Sequence, residues 1–133
     1  MNKVFLSGPI RGLPRELSLG WRNKAKELLE PKVAILHALR GREVKETLPD
    51  PRIAIHRDKR DIRHSDILLV NDTFAEASMI GTAMEVVYAY EREKLIVLFG
   101  DGHSKDYWLN YHAHVRFETL EEACAFILEH YSD

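Results

Sequence analysis

The residue in this sequence whose setting most calls for a chemical role is Glu85. It lies among Ala83, Met84, Val86 and Val87, where a carboxylate is costly to desolvate. The stretch from Ser78 to Arg92 reads as a small-residue turn containing Gly81, followed by an apolar helix with Glu85 about one turn inside it. Two readings stand at this point: a catalytic carboxylate facing a pocket, or an early-turn glutamate that complements the helix dipole. A second acidic group is Asp58 with Asp61, which at i, i+3 share one face of a helix that His64 continues. The surrounding run, His56 to Asp61, is equally the kind that faces water.

Other chemistries find less support. Gly8-Pro9-Ile10-Arg11-Gly12 offers backbone amides and a guanidinium to an anion, without the glycine spacing of the common phosphate loops. His112 and His114 are too close for one helix face, so no metal ligand set emerges and no metal or cofactor is expected. There is no Gly-x-Ser-x-Gly elbow, and Cys124 falls within an amphipathic helix pattern.

The elements that must position these residues follow from punctuation and periodicity. Lys3 to Gly8 is a short strand ended by Gly8-Pro9, and a helix follows from about Glu16 to Glu30. Lys32 to Leu36 reads as a second strand. Arg40 to Arg52, marked by Gly41, Pro49 and Pro51, reads as an exposed loop long enough to serve as a lid. Ile53 to His64 is a short helix leading into Asp66 to Asn71, a continuous apolar run typical of a buried parallel strand. Leu95 to Phe99 reads the same way. Tyr107 to His112 is dense in aromatic and histidine side chains within a turn-rich region, which suggests an interface or ligand contact, and Val115 to Phe117 is a short last strand. Thr119 and Glu122 form a capping box that opens the final helix.

Alternating strands and helices predict an α/β domain spanning residues 1–133, a single flavodoxin-like three-layer unit. Its five parallel strands take the order 2-1-3-4-5 with helices on both faces. The switch point lies between the ends of strands one and three, at Ser7-Gly8 and Val70-Asn71, where open α/β sheets bind ligands. The turn after Gly8, the helix carrying Asp58 and the start of the Glu85 helix converge there.

Composition bounds the class. A chain of 133 residues with 45% hydrophobic content can bury a core as one domain. Its 19 basic and 21 acidic residues are interspersed, for a net charge of -2, which provides no field for a nucleic-acid polymer or a membrane surface. One cysteine, no membrane-length apolar run and an N-terminus that opens directly on a strand fit a cytoplasmic, soluble protein.

Three motifs together resemble the nucleoside 2-deoxyribosyltransferase family, which includes the related nucleoside 5'-monophosphate N-glycosidases. They are Val4-Phe5-Leu6-Ser7-Gly8-Pro9-Ile10-Arg11-Gly12, Asp58 placed eight residues before Asp66-Ile67-Leu68-Leu69-Val70, and Gly81-Thr82-Ala83-Met84-Glu85 with Tyr88-Ala89 following. The resemblance implies that Glu85 attacks the anomeric carbon to form a covalent glycosyl-enzyme, and that Asp58 serves the leaving base as acid. It implies a pocket built from Phe5, Gly8, Pro9, Ile10, Arg11, Ser78 and Gly81, with Arg11 and Ser78 at a 5'-phosphate. It also implies a homo-oligomer in which Asn110 and His112 complete a neighbouring subunit's site. The family usually has a tyrosine where this chain has Phe5, a hydroxyl that orients the nucleophile, so selectivity for deoxyribose over ribose is loosened. The expected partners are a nucleoside or nucleoside 5'-monophosphate and a free nucleobase. The expected reaction is sugar transfer to another base, with hydrolysis as the alternative and non-catalytic nucleotide sensing as a further one.

Overall fold

The computed structural model describes residues 1–132. Five strands, β1 (Lys3–Ser7), β2 (Ala34–His37), β3 (Ile67–Asn71), β4 (Leu95–Phe99) and β5 (Val115–Phe117), form one sheet in the order β2-β1-β3-β4-β5. Every pairing is parallel, with Leu6 beside Leu69 and Leu69 beside Val97 at the centre. Five helices connect or follow them: α1 (Arg15–Leu29), α2 (Pro51–Arg63), α3 (Ile80–Glu91), α4 (Tyr107–His112) and α5 (Leu120–Tyr131). The architecture is the doubly wound one expected from the alternation of elements.

Strand periodicity of two splits the core into halves. Val4, Leu6, Ile67, Leu69 and Val97 point to one face, where Ala25 and Leu29 of α1 and Ala123, Cys124 and Ile127 of α5 cover them. Phe5, Leu68, Val70, Ile96 and Leu98 point to the other, beneath Ile62 of α2, Val86 and Ala89 of α3 and Leu109 of α4. Central strand β3 is buried throughout, which is why it reads as an uninterrupted apolar run.

Several boundaries differ from those read in the sequence. Strand β2 begins at Ala34 because the amides of Lys32 and Val33 still turn back to the Leu29 carbonyl, at 3.1 and 3.2 Å. Helix α2 begins at Pro51, capped by Asp50, whose carboxylate accepts from the Arg52 amide at 2.8 Å. The aromatic stretch is helical: Asp106 caps α4 by accepting from the Leu109 amide at 2.8 Å, and buried Leu109 anchors it to the sheet. The loop between β2 and α2 is braced. Arg42 pairs with Glu46 at 2.6 Å and reaches the Ala38 carbonyl at 3.0 Å, while Arg15 donates to the Arg42 carbonyl at 2.8 Å. The capping box forms as expected at Thr119 and Glu122.

Candidate active site

The carboxyl ends of β1 and β3 open onto a cavity of about 550 Å³, within the range of small-molecule sites. Its walls come from the β1–α1 turn, from α2, and from the start of α3. Gly8 permits the first wall. A Cβ there would stand 3.0 Å from the Trp21 ring and 3.2 Å from the Asn71 Cβ, so a side chain would need these two neighbours to give by a few tenths of an ångström.

Glu85 sits in this cavity on α3, beyond the first helical turn, which contains no acidic residue. The dipole-complementing reading therefore loses its basis, because that effect fades within one turn. Its Oε1 accepts a 2.6 Å hydrogen bond from Ser7 Oγ, and Oε2 accepts none among the described residues. Burial pushes the Glu85 carboxyl up to about 7; the Ser7 hydrogen bond opposes this, the Asp58 charge adds to it, and Arg22 opposes it. Glu85 is thus held by one oxygen in a poorly solvated setting with the other oxygen unengaged.

Asp58 faces the same cavity from α2. Its Oδ1 is buried and has no hydrogen-bond partner among the described residues. Burial raises its carboxyl to about 6, against the pull of Arg57, Arg42 and Arg22 and with a push from Asp61. A carboxyl raised toward neutrality is suited to taking up a proton and donating it to a leaving group. Asp61, one turn on, is committed elsewhere: it is buried in an ion pair with Arg40 at 2.7 Å and does not line the cavity. The charged run of α2 is therefore only partly solvent-facing.

Gly8, Pro9, Ile10, Arg11, Ser78 and Gly81 all line the cavity. Phe5 does not. Its side chain is wholly buried in the core under α3, on the same strand face as Ser7 but one pleat deeper. Asn110 and His112 lie on α4 and do not line their own chain's cavity. Asn110 bridges the Ser104 carbonyl and Arg116, at 2.7 and 2.8 Å. His112 is buried against Tyr90 with its Nδ1 2.7 Å from the Trp108 carbonyl.

Two residues that sequence reasoning passed over belong to the site. Ser7 ends β1 and stands in the motif already quoted, where alternation alone would have aimed it with Phe5 toward α2 and α3. Arg22 looks in the sequence like any arginine of an amphipathic helix, and nothing marks it as buried. Among the described residues no three-residue cluster of metal-ligating side chains forms, and no helix is long and apolar enough to cross a membrane.

No family model matches the sequence, and no curated protein is significantly similar to it in sequence. Solved structures are similar in fold. A 2-desoxiribosyltransferase from Leishmania mexicana superposes with a TM-score of 0.75 at 20% identity, over 98% of this chain and 99% of that one. A 2-deoxyribosyltransferase from Bacillus psychrosaccharolyticus gives 0.69 at 16% identity, over 90% and 88%. A CMP N-glycosidase from Clostridium botulinum gives 0.66 at 16% identity, over 95% and 98%. These are the kinds of protein that the three sequence motifs resemble. At such identities the likeness establishes the fold, and the chain has the fold shared by these deoxyribosyltransferases and this N-glycosidase.

Proposed function

We propose that this protein breaks the N-glycosidic bond of a nucleoside or nucleotide. Glu85 is the nucleophile, Asp58 the general acid, and the sugar passes to a second nucleobase. The observation that carries this reading is the 2.6 Å hydrogen bond from buried Ser7 to Glu85, a carboxylate that lines the same cavity as Asp58. It fixes one carboxylate oxygen and leaves the other for attack on an anomeric carbon, whose oxocarbenium-like transition state a carboxylate stabilises. Asp58, whose Oδ1 is buried without a partner, supplies the proton that the departing base nitrogen needs. The fold shared with the deoxyribosyltransferases supports the same chemistry by analogy.

Hydrolysis of a nucleoside 5'-monophosphate is the second reading, favoured by one feature of the cavity. Arg11 and Lys59 line it, and α3 begins there with no side-chain cap from its N-cap residue Met79; the Ile80 amide reaches only Ser78 Oγ, at 3.4 Å, so the dipole of the helix start faces an anion. The CMP N-glycosidase of the same fold fits this alternative. A homo-oligomer is also part of the proposal, supported by the exposed apolar side chains Ile80 and Met84 on α3 and Tyr107, Trp108 and Tyr111 on the neighbouring α4.

Incubation with a deoxynucleoside or its 5'-monophosphate, with and without a second free base, separates the readings. A new nucleoside appearing only with the second base marks transfer. Free base and sugar or sugar phosphate mark hydrolysis. Binding without turnover would leave only a sensing role and contradict the proposal.

A further inference from the structure

Arg22 is 1% exposed, yet it has no carboxylate within ion-pairing distance among the described residues. Its side chain leaves α1 and reaches over the end of β1 to the cavity wall. One guanidinium nitrogen donates to the Gly8 carbonyl at 2.9 Å and the other to the Ser18 carbonyl at 2.6 Å, while Nε has no partner. Two carbonyl dipoles do not neutralise a buried cation, and an uncompensated charge of this kind is costly to a fold. The Trp21 ring, its centroid 4.7 Å from the guanidinium carbon, gives it a cation–π contact, and the anions that can compensate it are the two cavity carboxyls, Glu85 and Asp58, both of which act on it across the low-dielectric site.

We propose that Arg22 is a positioning residue whose fixed charge holds the Glu85 and Asp58 carboxyls at one shared proton, which stands on Asp58 when Glu85 attacks. The inference rests on the reading of Glu85 and Asp58 given above. One guanidinium and two carboxyls are together neutral when the pair carries one proton. When Glu85 forms its bond to the anomeric carbon, the carbon–nitrogen bond breaks with its electron pair on the base, and the base takes the Asp58 proton. Glu85 is then a neutral ester and Asp58 a carboxylate. The negative charge has moved from one partner to the other, and the total opposite Arg22 is unchanged. A single cation placed to serve both therefore suits both halves of a double displacement, in a way that an ion pair with either one would not.

Arg22 is the cation that acts on both carboxyls, although Arg11 and Lys59 also line the cavity. Arg15 on the same helix opposes its charge. Arg57 on α2 and Arg42 in the preceding loop act on Asp58 more strongly than Arg22 does, with Asp61 against them, but neither of these two is among the charges acting on Glu85. Ser7 contributes a neutral hydroxyl to Glu85. His37, at the end of β2, is pushed down to about 4 by burial and then by Arg22, so it brings no charge near neutral pH.

The test is a titration of the Glu85 and Asp58 carboxyls by 13C NMR in the intact protein, with Glu85→Gln and Asp58→Asn used to assign the signals. Arg22→Gln and Arg22→Met remove the charge, and Arg22→Met, an apolar replacement of similar length, guards against loss of fold. With the cation gone, the first ionisation of the pair should move up by about one pH unit, while Arg22→Lys should stay within a few tenths of the parent. The acid limb of kcat/KM should move in parallel. An unchanged titration in a folded neutral variant overturns the role assigned to Arg22, whatever the activity. A shifted titration in a protein that turns over no nucleoside supports the charge coupling and overturns the N-glycosidic reading instead.

Discussion

Ser7 Oγ and Glu85 Oε1 stand 2.6 Å apart, although the two residues are 78 positions apart in the chain. The hydroxyl that aims the carboxylate thus comes from the last residue of β1, whereas Phe5, two residues earlier on the same face, is sealed in the core.

Ser7→Ala should lower kcat/KM by about tenfold, the equivalent of roughly 1.4 kcal/mol, because one hydrogen bond to a charged group is lost. The bond favours the ionised form of Glu85. Its removal should therefore shift the acid limb of the pH–rate profile to higher pH, and Ser7→Thr should restore both. A uniform drop in rate with an unmoved acid limb would indicate that Ser7 only packs.

Asp58→Asn should slow cleavage most for substrates whose base is a poor leaving group, since proton donation matters most there. The comparison is kcat for an ordinary nucleoside against one bearing an activated, already acidic base. Equal slowing of both would assign Asp58 a structural role.

Phe5→Tyr tests the depth of the first strand. Phe5 is 0% exposed among Ile62, Leu68, Val86 and Ala89. A phenolic hydroxyl buried there without a partner should cost roughly 1–3 kcal/mol and lower Tm, with no change in the ratio of deoxyribose to ribose turnover. A rise in that ratio at unchanged Tm would return Phe5 to the sugar pocket.

Glu85 also sets a pH dependence of stability, opposite in sign to that of a salt-bridged carboxylate. Its carboxyl is raised from 4.5 to about 7 on folding, and that of Asp58 from 3.8 to about 6. The folded state therefore binds these protons more tightly than the unfolded chain. Their contribution is fully present below the unfolded values and is lost as pH rises through the folded ones. Between pH 4.5 and pH 8, urea unfolding should show Glu85→Gln gaining up to about 3 kcal/mol relative to the parent protein. A constant difference across that range would mean that the Glu85 carboxyl is not perturbed by its setting.

Much of this arrangement is legible in the sequence, for identifiable reasons. Buried parallel strands such as Ile67–Asn71 announce themselves as unbroken apolar runs, and Gly8-Pro9 marks the end of β1. Glu85 is conspicuous because its neighbours are apolar. What stays hidden depends on three-dimensional reach. Nothing local distinguishes Arg22 from a solvated arginine, because its burial comes from stretching over Gly8 toward a cavity assembled by distant segments. Asp58 and Asp61 share a helix face in sequence, yet Arg40 claims one of them and leaves the other to the site. Helix α4 has six residues, too few for a periodicity to show, and only Asp106 and Leu109 fix it.

The central claim is that the sugar passes through an ester on Glu85. Rapid quenching of the protein during turnover of a deoxynucleoside, followed by peptide mass spectrometry, reads this directly. A deoxyribosyl adduct is expected on the Glu85 side chain, formed as the first base is released and absent from Glu85→Gln. Free base accumulating with no adduct, or with the sugar on another residue, would contradict it.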